Sequence, residues 1–320
     1  MNRRRDPFAI VCLVGATLSW GAVPIMLQYL RNYVPDGFTA NMIRYPVASL
    51  FYLPLLIDGI IHRRGGKFWL TALLPAAINI AAQTFWGMAP YHHMDAGVIS
   101  FLLRLSAIWG VLGAFLVFPD ERRLARSPIF WAGTTIALGG FVIMSWAHVL
   151  GVRESGLAGL VIMFFCGLFQ GLYGVAVRYV MGKLNPLFVF AVVGSYTSIG
   201  LIIMAPLGNP ASLLRLPMMP WIMLLVSAVV GIGLAHGMYY VAVQRMGAAV
   251  STLLLSVTPF VTICGSSILL NERFSPAQWI GGTILVLGAT IAVRAPRNVL
   301  EITHANDSST TEPADPHPTA

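Results

Sequence analysis

The sequence predicts an all-α membrane protein whose ten transmembrane helices form two inverted five-helix repeats. Three observations carry this expectation: a composition too apolar for a water-facing surface, ten apolar segments of membrane-spanning length, and motifs that recur about 150 residues apart. Apolar residues make up 57% of the chain and charged residues only 10%, where a soluble domain carries about a quarter charged. The net charge of +8 would fit a polyanion partner, but the Lys and Arg residues stand in small groups between apolar stretches. That is a topology signal, so the bilayer and a small molecule are the expected partners, and nucleic acid is not. Cys12, Cys166 and Cys264 each lie inside an apolar stretch, which speaks against a disulfide or zinc framework.

A hydrocarbon core of about 30 Å needs about 20 helical residues. The apolar segments are Phe8–Tyr29, Thr39–Ile61, Phe68–Gly87, Ala96–Phe118, Ile129–Leu150, Leu157–Tyr179, Leu187–Leu207, Trp221–Val243, Ala248–Leu270 and Ala277–Val293. Short connections with Pro, Gly, Asn and charges separate them, and helix is the expected spanning form because lipid offers the backbone no hydrogen-bond partners. Fourteen Lys and Arg residues, among them Arg63, Arg122, Arg178 and Arg245, fall on one side. Four fall on the other: Arg31, Arg153, Arg215 and Arg273. This bias predicts cytoplasmic termini in a cell (inner) membrane protein. Residues 295–320, rich in Pro, Ser, Thr, Asp and Glu, are expected to form a disordered cytoplasmic tail.

The repeat divides the chain into residues 8–150 and 155–294. Ser127-Pro128 with Trp131 and Gly133 matches Ser275-Pro276 with Trp279 and Gly281 at an offset of 148, and Gly140 and Gly288 keep that register. Glu121-Arg122 pairs with Glu272-Arg273 at 151, and Met94, Ala96 and Val98 pair with Met246, Ala248 and Val250 at 152. Ser before Pro supplies a helix cap and a first-turn proline, and Gln278 completes a capping box with Ser275. Five segments per half is an odd number, so the halves insert with opposite polarity. Such inverted repeats are characteristic of secondary transporters, with the solute held near the midplane.

Together with Leu18-Ser19-Trp20-Gly21, the duplicated Glu-Arg and the glycine-bearing last helix of each half resemble the drug/metabolite transporter superfamily, in particular its two-domain EamA branch. The resemblance covers nearly all of residues 8–293. It implies a ten-helix bundle, alternating access and a central cavity lined by segments one, three, four, six, eight and nine, but no particular substrate. One departure stands out. The proline common midway along segments four and nine is present as Pro259, while its counterpart is Ala107, and Arg104 in the first half has Ser256 as its counterpart in the second.

Arg104 is the strongest candidate for a substrate-binding residue. An Arg near the bilayer centre costs about 2.5–3.5 kcal/mol or more and therefore needs a wet cavity or a partner. It serves either as a guanidinium fork for a carboxylate or phosphate or as a clamp on carbonyls where a neighbouring helix breaks. Asn79 and Gln83 share a helix face; Gln170 and Tyr173 lie among glycines; His236 is followed by Tyr239 and Tyr240, of which Tyr240 is the chosen candidate. Trp20 precedes an expected break at Gly21–Pro24. Arg44 is expected to snorkel outward or to pair with Asp36 or Asp95. His92, His93 and Asp95 cluster without further ligands, so no metal is expected, and no cofactor. No phosphate-cradling Gly-rich loop is present, which speaks against ATP-driven pumping.

The expected function is thus a secondary, non-ATP transporter that exports or exchanges a small polar organic solute such as an amino acid or metabolite, as a monomer or homodimer. An intramembrane enzyme or a solute receptor is the alternative. No enzyme activity is expected, because Ser195 and His236 lack a Gly-x-Ser-x-Gly elbow around them.

Overall fold

The computed structural model describes residues 6–89, 102–146, 156–269 and 273–309, and every regular element among them is helical. N-cap side chains set several of the starts. The Asp6 carboxylate accepts from the N–H groups of Phe8 and Ala9 at the head of α1 (Pro7–Leu30), and Asp36 accepts from Thr39 N–H at the head of α2 (Gly37–Leu50). A bend of 61° leads from α2 into α3 (Leu53–Ile61). The short α4 (Phe68–Thr71) runs into α5 (Leu73–Met88), and α6 (Ser106–Val117) is followed by α7 (Pro128–Met144), capped by Ser127. In the second half come α8 (Gly156–Met181), α9 (Pro186–Met204) with its Asn185 cap, and α10 (Met218–Ala228). A π-helical turn, Val229–Leu234, joins α10 to α11 (Ala235–Met246). Last are α12 (Ala248–Leu255), α13 (Thr258–Leu269) and α14 (Pro276–Ser309). The capping box at α14 forms: Ser275 N–H donates to Gln278 Oε1 at 2.8 Å, and Gln278 N–H to Ser275 Oγ at 3.4 Å.

Among the described residues, seven segments are long and apolar enough to cross a membrane, and the bent α2–α3 pair is an eighth if taken as one span. Leu102–Val117 and Pro128–Met144 are apolar but shorter. The sequence predicts longer spans there, and the missing parts, 96–101 and 147–150, lie outside the described residues. Val11, Leu116, Leu157 and Ile203 stand exposed on the surface, which costs nothing in lipid. The helix α14 is described to Ser309.

Where α7 and α14 meet, their backbones touch through glycines. A Cβ on Gly133 would overlap the backbone of Ala292 and approach the Gly288 carbonyl; one on Gly288 would overlap Ala137 and approach the Gly133 carbonyl. Gly140 and Gly281 block each other in the same reciprocal way. Since Gly133 corresponds to Gly281 in the repeat, and Gly140 to Gly288, each glycine meets the counterpart of the other. Two equivalent helices packed antiparallel about a local two-fold axis produce this crossed pairing.

Candidate functional site

A cavity of about 280 Å³ lies between the two halves. Its walls come from α1, α5, α6, α8, the π-turn with α11, and α12, with α2 in addition. It reaches from exposed Arg31, just past the end of α1, inward to Tyr173, Tyr239 and Thr252.

Of the residues singled out in the sequence, Trp20, Gln83, Arg104, Gln170, Tyr173 and His236 line this cavity; Asn79 and Tyr240 do not. Asn79 sits one layer behind, donating to Tyr45 Oη at 3.2 Å and to Thr197 Oγ1 at 3.4 Å. Tyr240 is fully buried, its hydroxyl 2.6 Å from that of Tyr173. Both therefore position cavity side chains, Tyr45 and Tyr173, rather than face the cavity themselves. Tyr239 lines the cavity in place of Tyr240.

The helix-break logic is visible at two places. Pro259 has no N–H, so the Leu255 carbonyl one turn earlier loses its helical donor. Thr258 Oγ1 donates to that carbonyl at 2.6 Å and Arg104 Nη1 at 3.1 Å. Arg104 Nε is buried with no hydrogen-bond partner among the described residues, so within them the guanidinium is anchored at one end only. In the π-turn, three successive carbonyls take side-chain donors. Trp20 Nε1 donates to Gly231 at 2.8 Å, His236 Nδ1 to Ile232 at 3.1 Å, and Tyr52 Oη to Gly233 at 2.8 Å. A carbonyl only accepts, so His236 carries its hydrogen on Nδ1 and leaves Nε2 as an acceptor when neutral. The ring stacks on Phe190 (5.4 Å, 18°) and meets Trp20 edge-on (5.1 Å, 85°). At Gly21–Pro24 the expected break is absent. α1 continues through Pro24, because one proline removes one bond and the remaining turns hold the helix.

Arg44 departs from expectation. It neither snorkels nor pairs with Asp36: it is 3% exposed, with Nε donating to Ser227 Oγ at 3.0 Å and Nη1 to Asn41 Oδ1 at 3.3 Å. Asp36 accepts instead from Thr39 and from Asn209 N–H. Asn41, one turn before Arg44 on the same face, is the sequence signal that this arginine points inward.

Away from the Arg31 end, Glu121 holds the halves together. It lies in the turn after α6, is 2% exposed, and accepts from Ala248 N–H at 2.8 Å and Ala249 N–H at 2.7 Å at the start of α12. It also pairs with Arg178 on α8, whose guanidinium lies 4.2 Å from the Phe118 ring. A carboxylate on two orphan N–H groups at a helix start is a strong, charge-assisted arrangement. Its sequence signal is the duplicated Glu-Arg. Gly247, at φ +97°, makes the turn that lets this carboxylate approach. His92, His93, Asp95 and Glu272 lie outside the described residues. Ser195 Oγ donates back to its own helix at Ala191, with no bond to His236 among the described residues.

No curated protein matches the chain. A crystal structure titled only "Crystal structure of protein" matches with a TM-score of 0.69 at 17% identity, covering 91% of this chain and 98% of that one; the likeness shows a shared fold. The model of the EamA-like transporter family matches residues 157–294. The second half of the chain is thus similar to EamA-like transporters, and its long apolar helices are those of a multi-pass membrane protein.

Proposed function

We propose that the protein is a secondary transporter of ten spans, built as two inverted five-helix repeats, that exports or exchanges a small polar organic solute such as an amino acid or metabolite. The seven long segments, the bent α2–α3 pair and the two shorter apolar helices supply the ten spans. The crossed glycine contacts of α7 and α14 support opposed halves. Positive-inside bias favours cytoplasmic termini in a cell membrane.

One observation carries the transport reading. The cavity is walled by both halves, reaches exposed Arg31 at one end, and has Glu121 joining the halves away from that end. That is the form of one end state in alternating access. Positive-inside bias puts the Arg31 end outside, making this the outward-facing state. Reconstituted proteoliposomes without ATP test the reading: a labelled solute preloaded inside exchanges with unlabelled solute outside. Saturable solute binding with no flux across a solute panel would instead make the chain a receptor.

A further inference from the structure

We infer that the cavity is an anion site, and that its solute is an organic anion whose carboxylate meets Arg44 and Arg104 while an apolar or aromatic body lies along the wall. This deepens the transport reading and rests on it. Among the described residues, four charged side chains line the cavity: Arg31, Asp36, Arg44 and Arg104. Arg31 is exposed to solvent, and Asp36, of opposite sign, is already occupied with Thr39 and Asn209. Inside remain two guanidiniums. Their hydrogen-bond acceptors, Ser227, Asn41 and the Leu255 carbonyl, are all neutral. Among the described residues neither arginine has a carboxylate within ion-pair distance.

An arginine side chain offers five N–H donors. The bonds described use two on Arg44 and one on Arg104, and Arg104 Nε is buried without a partner among the described residues. An uncompensated charge away from bulk water is costly, so a counter-charge arriving with the solute removes that cost at the moment of binding. Glu121 is committed to Arg178 and α12, so among the described residues a cationic group on a solute would find no interior carboxylate to meet it. Gln170 Oε1, also in the wall and without a partner among the described residues, would accept from a neutral donor such as a hydroxyl. Trp20 spends its N–H on Gly231 and offers the cavity only its ring.

Charge-paired thiol reagents test this without knowing the solute. Cys12, Cys166 and Cys264 are replaced, and Ser256→Cys is introduced in the cavity wall, with Ala107→Cys as a second position. Each purified protein is treated with the anionic sulfonatoethyl and the cationic trimethylammonioethyl methanethiosulfonate, and the rates are normalised to those with 2-mercaptoethanol. The expected normalised preference for the anion is about tenfold, retained in Arg104→Lys and Arg44→Lys and falling toward unity in the Gln variants. A cation preference, or a preference unchanged by both Gln substitutions, overturns the anion site and leaves the transport reading intact. Failure of both reagents to reach either cysteine overturns the solvated cavity itself, and with it both readings.

Discussion

Arg104 Nη1 donates to the Leu255 carbonyl at 3.1 Å, and that carbonyl is free because Pro259, one turn on, has no N–H to give it. The asymmetry in the sequence, an arginine in one half and a proline in the other, is thus one physical unit. Giving position 259 an N–H should make Arg104 less necessary to the fold. Arg104→Gln is expected to cost more stability in the wild-type background than in the Pro259→Ala background, with a coupling of about 0.5–3 kcal/mol. Thermal unfolding of the wild type, both single variants and the double variant in detergent measures it; strict additivity would show that the two residues do not share the carbonyl.

Glu121 gives the second prediction. Removing its charge leaves Arg178 paired with the more exposed Asp120 and weakens the cap on Ala248 and Ala249, and breaking a buried pair costs up to about 3–5 kcal/mol. Glu121→Gln should therefore lower thermal stability far more than Asp120→Asn, whose carboxylate is exposed and whose ion pair is worth about 0–1 kcal/mol. Gly247→Ala should act in the same direction by about 1–3 kcal/mol, since its φ is +97° and a Cβ would come within 3.1 Å of the Glu121 carboxylate. Equal melting temperatures for Glu121→Gln and Asp120→Asn would refute the assignment.

How much of this is visible in the sequence follows from what each residue depends on. Hydropathy and the duplicated motifs describe the spans because lipid imposes one requirement everywhere. Arg104 stands out for the same reason, as a charge in an apolar run. Asn79 does not reveal its role: a polar residue four positions from Gln83 faces the cavity or a neighbouring helix, and only the placement of Tyr45 and Thr197 decides. Tyr239 and Tyr240 both lie within one turn of His236, and the π-turn before them shifts the register that would choose between them. The duplicated Glu-Arg marks Glu121 in the sequence but not its role, because burial of a turn is a tertiary property.

The crossed glycines make a prediction about pairs. Gly133→Ala, Gly140→Ala, Gly281→Ala and Gly288→Ala should each destabilise by about 1–3 kcal/mol through overpacking. Gly139→Ala, where a Cβ meets nothing within 4 Å, should be neutral or slightly stabilising. Coupling is expected within Gly133–Gly288 and Gly140–Gly281, and not between the repeat equivalents Gly133 and Gly281. Urea or thermal melts of the double variants decide; coupling of the equivalents would contradict antiparallel packing.

At the aqueous end of α1, Arg245 donates to Asp6 at 2.6 Å. This bond is the main reason the Asp6 carboxyl lies below its ordinary value, with help from the Ala9 and Phe8 N–H groups and against some desolvation. A depressed folded pKa stabilises the fold above the ordinary carboxylate value near about 4, and the effect is lost as the pH falls through the lower folded value. Asp6→Asn should remove that acid limb from a melt-versus-pH curve at low salt, and high salt should shrink the wild-type limb, because the pair is exposed to solvent. An unchanged acid limb in Asp6→Asn would show that Asp6 does not contribute.

The whole account depends on one cavity that faces each side of the membrane in turn. Ser106, in the cavity wall, replaced by Cys in a background without the native cysteines, reports this directly. A membrane-impermeant maleimide is applied to right-side-out and to inverted vesicles. Labelling from both sides, with Glu121→Gln raising the rate in inverted vesicles, is the predicted result. Labelling from one side alone, unchanged by Glu121→Gln, would contradict alternating access.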